Sequence, residues 1–165
     1  MQLTETTLDQ RLIDEIVNAI GREADAKNGP MPTICIIDDE GAMTLLRRGD
    51  ALNKSSTVIA STLAKCVRET GEDGKYHSSG LSSYHVLKSH QPSLVSERIL
   101  DEIIEVRFAI PFYKIGYGIV LRDLGGEIIG AMGVVAEDFE TSKQYAEVGS
   151  AAFDERLTLD MRSQA

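Results

Sequence analysis

Two rhythms of apolar and polar residues run along this chain, and they change at glycine-rich breaks. From Thr7 to Ala26 the rhythm is helical. Leu8, Leu12, Ile16, Ile20 and Ala24 recur at four-residue spacing, with Ile13 and Val17 widening the stripe. Thr7 and Gln10 have the spacing of a capping box at its start, and Asn28-Gly29-Pro30 stops it. Pro32 to Ile37 (PTICII) is a β-branched strand, Asp38-Asp39-Glu40-Gly41 turns the chain, and Ala42 to Arg48 (AMTLLRR) returns. Ser55 or Ser56 caps a second helix to about Glu69, with Ile59, Leu63, Cys66 and Val67 inward.

Residues 70–105 are the least regular part. A short helix is predicted around Tyr84 to Lys88 and another over Leu94 to Ile104. Val106 to Tyr113 (VRFAIPFY) reads as a strand, bulged or at an edge because Pro111 donates no ladder hydrogen bond. The strongest hairpin signal follows: Ile119-Val120-Leu121, a Gly125-Gly126 turn, and the run Glu127 to Ala136. Gly130 and Gly133 inside that run predict a bend or close approach of another backbone, and apolar residues on both faces predict cover on both sides. This hairpin is expected at the centre of the sheet. Thr141 and Gln144 repeat the capping-box spacing before a last helix to about Asp160.

Strands grouped in hairpins, with helices between the groups, predict an antiparallel sheet and an α+β fold. The arrangement that fits best is a profilin-like five-stranded sheet flanked by helices, in a single domain over residues 1–165.

Composition narrows the function. A net charge of -9 disfavours nucleic acid and anionic membranes as partners, since both select a basic field. No apolar run approaches the ~20 residues of a membrane span, and the polar N-terminus has no signal-peptide pattern, so a cytoplasmic setting is expected. Cys35 and Cys66 sit in apolar segments without metal-ligand spacing and read as buried thiols. Asp38-Asp39-Glu40 lacks the alternating spacing of a calcium loop and reads as a solvated hairpin tip.

Several segments together resemble the GlcG/HbpS-like haem-binding or haem-degrading family, which includes PduO C-terminal domains. They are ICIIDDEGAMTLLRR, SSTVIASTLAKC and GEIIGAMGVVAEDFETSKQYAEVG. Within them the family pattern is met by Asp38 or Asp39 with Gly41, by Arg47 or Arg48, by Ala64-Lys65, by Ile129 to Val134, and by Ala146 to Gly149. The resemblance covers about residues 3–153. It implies a homo-oligomer and a small-molecule ligand, haem or a related tetrapyrrole.

A haem iron takes a His, Cys, Met or Tyr donor. All three histidines, His77, His85 and His90, lie between Lys75 and Gln91. The candidate ligand-binding residues are therefore His77, Ser79 and His85, with Arg107 and Tyr113 on the neighbouring strand edge and Lys65 from the family pattern. The same residues support a second reading, an enzyme of small organic-acid or aromatic catabolism. There a guanidinium would hold a carboxylate while His or Tyr moves a proton. A third reading is an adaptor docking through its sheet. Whether turnover occurs stays open at this point.

Overall fold

The computed structural model describes residues 7–50, 55–74 and 116–163. Within them lie α1 (Gln10–Ala26), β1 (Thr33–Asp38), β2 (Met43–Arg47), α2 (Ser55–Thr70), β3 (Gly116–Arg122), β4 (Ile128–Val135) and α3 (Phe139–Ser163). The sheet order is β2-β1-β4-β3, and every neighbouring pair is antiparallel. The α+β expectation holds. The fifth strand expected over Val106 to Tyr113 lies outside the described residues, which hold four strands.

The β3–β4 hairpin forms as expected, in register from Gly116↔Val135 to Arg122↔Ile128. Its turn is held by Asp123, whose Oδ1 accepts from the N–H of Gly125 and of Glu127 at 2.9 and 3.0 Å. The hairpin is not the middle of the described sheet, however. The inner strands are β1 and β4, because the β1–β2 hairpin adds to the β4 side.

Side chains alternate across this sheet into two apolar layers. On one face Ile34, Ile36, Ile119, Leu121, Met132 and Val134 pack with Leu12, Ile16 and Ile20 of α1 and Phe153 and Leu157 of α3. On the other, Cys35, Ile37, Val120, Ala131 and Val135 pack against Ile59, Ala60, Leu63 and Val67 of α2. Gly133 lets α2 come close, since a Cβ there would run into the carbonyl of Ala60. Gly130 does likewise for the β1 backbone, where a Cβ would lie 2.6 Å from the Ile37 carbonyl oxygen. Both are the close approaches that glycines within a strand signal.

The helix starts differ from the expected capping boxes. Asp9, not Thr7, caps α1, its Oδ1 accepting from Leu12 N–H at 2.9 Å. Asp138, not Thr141, caps α3, its Oδ1 accepting from Thr141 N–H at 2.7 Å. Aspartate is as good an N-cap as serine or threonine, so spacing alone does not choose between them. At the other end of α1, Asn28 takes φ 52°, and Gly29 N–H and Asn28 N–H donate to the carbonyls of Ala24 and Asp25. That is the paired bonding of a Schellman motif.

The chain leaving α2 is strapped along the outer edge of β3. Arg122 donates to the carbonyls of Gly71 and Gly126, Asp73 Oδ1 accepts from Val120 N–H at 2.7 Å, and Gly74 and Gly118 exchange backbone hydrogen bonds of 3.0 and 2.8 Å.

Candidate functional site

The loop after β2 builds one wall of a groove. Gly49 N–H donates to Thr33 Oγ1 at 2.7 Å, and Thr33 Oγ1 shares a 2.8 Å hydrogen bond with Ser56 Oγ. This buried network seats the loop against the start of β1, so closely that a Cβ on Gly49 would meet the Met31 carbonyl oxygen at 2.6 Å. Asp50 is thereby fixed. Its backbone N–H donates to Met31 O at 3.1 Å, and its Oδ2 accepts from Met31 N–H at 3.3 Å.

Across from Asp50 runs the C-terminal half of α1. Between them is a groove of about 410 Å³, with Val17, Ala24 and Met31 as apolar floor and Asn18, Arg22, Asp25, Arg47 and Asp50 at its rim. Gly21 leaves its middle open, for a Cβ there would meet nothing within 4 Å. Arg47 reaches this side because it pairs with Ile34, whose side chain faces α1. Among the described residues no ion pair engages Arg22 or Arg47. Guanidiniums so placed suit an anionic or carboxylate-bearing ligand. The two rim aspartates complement a ligand that also carries hydroxyl or amino groups.

Of the residues singled out from sequence, His77, Ser79, His85, Arg107 and Tyr113 lie outside the described residues. Lys65 is described. It is exposed on α2, the opposite side of the sheet from the groove, and the structure does not bring it into that site. The acidic turn expected to be a hairpin tip is one. Asp38 Oδ1 accepts from Glu40 N–H and Ala42 N–H at 3.0 and 2.9 Å, and Arg68 donates to the Asp39 carbonyl.

The groove itself was not found from sequence, apart from Arg47. Its one local signal is Gly21, a helix-weakening residue within a strongly amphipathic helix. Arg22, Asn18 and Asp25 read as an ordinary solvated helix face until β2 and its loop are set beside them.

Haem, which the sequence resemblance implies, needs a donor that these parts do not supply. Cys35 and Cys66 are free and buried, and burial pushes their pKa up to about 11 and about 12, so neither offers a thiolate. Burial likewise raises Tyr117 and Tyr145, which keeps both as protonated phenols. The groove holds one soft donor, the Met31 thioether, and no nitrogen ligand. Thioether ligation of haem is ordinarily paired with histidine. The described residues alone do not make a haem site.

No family model matches the sequence, and no curated protein matches it. Solved structures do match. A Klebsiella pneumoniae protein, ORFY, of the DUF336 family aligns with TM-score 0.61 and 18% identity, covering 92% of this chain and 94% of its own. A PduOC:heme complex aligns with TM-score 0.58 and 20% identity, covering 89% and 95%. HbpS aligns with TM-score 0.57 and 16% identity, covering 91% and 92%. At these identities the likeness is one of fold. The chain has the α+β fold of the GlcG/HbpS-like proteins, as the sequence resemblance led one to expect.

Proposed function

We propose that this protein binds a small molecule in the manner of the GlcG/HbpS-like proteins, with haem or a related tetrapyrrole as the ligand class. The observation that carries the reading is the shared fold with a solved haem complex, over nearly the full length of both chains. Since the described residues include no histidine, the proposal assigns the axial role to His77 or His85, with Ser79, Arg107 and Tyr113 as further ligand-binding residues. It places the protein in the cytoplasm and in a homo-oligomer.

A second reading is favoured by one feature of the groove, the two guanidiniums of Arg22 and Arg47 without ion-pair partners among the described residues. It makes the ligand a small hydroxy or dicarboxylic acid, with turnover if His or Tyr is delivered to it.

One titration separates the two. Hemin added to the purified protein should give a saturable, red-shifted Soret band that is lost in His77→Ala/His85→Ala. A panel of hydroxy and dicarboxylic acids should then leave the melting temperature unchanged. No Soret shift, together with an acid that raises the melting temperature by linkage in wild type but not in Arg22→Ala, would overturn the haem reading in favour of the second.

A further inference from the structure

The two ends of the described sheet are finished differently. At the β3 end, Asp73, Gly74 and the Arg122 side chain occupy the strand's outer edge. At the other end β2 has β1 as its one strand neighbour among the described residues. Its Met43 and Leu46 are 48% and 45% exposed. They pair with Ile37 and Cys35, whose side chains face α2, so both lie on the α2 side of the sheet. Helix α2 packs chiefly over β1, β3 and β4 and only slightly over β2. An edge strand with exposed apolar residues and no proline is one that proteins ordinarily cover or blunt.

The charges beside this edge indicate its occupant. Arg47 and Arg48 stand at the end of β2, and Asp39 and Glu40 stand at the tip before its start. All four are exposed, and none is in an ion pair among the described residues. A strand that is basic at one end and acidic at the other is complementary to itself when turned around.

We propose that β2 pairs antiparallel with β2 of a second copy about a two-fold axis, so that two sheets become one. The symmetry sets each Arg47–Arg48 end beside the other copy's Asp39–Glu40 tip, twice per dimer. It also gathers Met43 and Leu46 of both copies on one face. An isologous contact of this kind needs one self-complementary patch and closes on itself. The backbone ladder supplies hydrogen bonds, as in strand addition to a sheet edge.

The test is sedimentation of the full chain, read beside circular dichroism melts. Wild type should sediment as a multiple of the 18.0 kDa chain. Leu46→Lys should lower the assembly by at least a factor of two while keeping the fold. Arg48→Glu should weaken association by about tenfold or more, because it sets like charges against each other. Arg48→Glu/Glu40→Arg should restore it. A monomeric wild type overturns the proposal, and so does an oligomer indifferent to Leu46→Lys and Arg48→Glu. If Leu46→Lys fails to fold, the two exposed charge variants decide. Failure of the double swap to recover association that Arg48→Glu abolished rules out the antiparallel arrangement.

Discussion

Two glycines carry opposite meanings in this molecule. Gly133 has a helix backbone pressed against the place where a Cβ would stand, whereas Gly21 has open space there. Gly133→Ala must push α2 away from β4 and should lose about 1–3 kcal/mol by overpacking. Gly21→Ala lies within a helix and should gain up to about 1 kcal/mol in propensity. Urea unfolding of both variants checks this. Equal effects of the two would mean that α2 does not sit on β4 as described. Sequence made Gly133 legible, since a glycine in a buried strand already implies close approach. Gly21 was a weak signal by itself, because its use depends on Arg47 and Asp50, which arrive from elsewhere in the chain.

At the scale of elements, the existence and type of those among the described residues were legible and their starting points were not. The stripe from Leu12 to Ala24 and the β-branched run from Thr33 to Ile37 are dictated by local periodicity. The caps were misplaced because Asp9 and Asp138 compete with neighbouring threonines for the same orphan N–H groups. Asp138 bears a further consequence. Its carboxyl is held below the ordinary carboxylate range, first by the backbone N–H of Thr141 and then by that residue's hydroxyl. A group whose folded pKa lies below its unfolded value stabilises above the unfolded pKa, and that contribution disappears as pH falls through the folded one. Asp138→Ala should therefore cost about 1 kcal/mol at neutral pH, as for other lost caps. The difference from wild type should shrink toward zero in acid below the usual carboxylate range. A gap in denaturation midpoint that persists at low pH would show the aspartate to act otherwise than as an ionised cap.

Across the whole molecule, stability is expected to be graded from the middle of the sheet outward. Strands β1 and β4 are covered on both faces and flanked by strands on both sides. Their amides, Ile34 to Ile37 and Ala131 to Val134, should open only with global unfolding and exchange slowest with deuterated solvent. The last turn of α3, where Met161 is 60% exposed, should exchange orders of magnitude sooner. Faster exchange in β4 than in α3 would contradict a core centred on the sheet.

The doubly bonded pair Gly74 and Gly118 bears on how such a protein can be altered. The chain passes Gly74 and is beside the same point again at Gly118, so the interval of sequence between them is closed at its base by described contacts. Because doubling such a span changes its closure entropy by only about 0.6 kcal/mol, its length and wording are thermodynamically cheap to revise. All three histidines fall in that interval of the sequence. On the proposed haem reading, the ligand set can therefore be rewritten or transplanted without renegotiating the scaffold beneath.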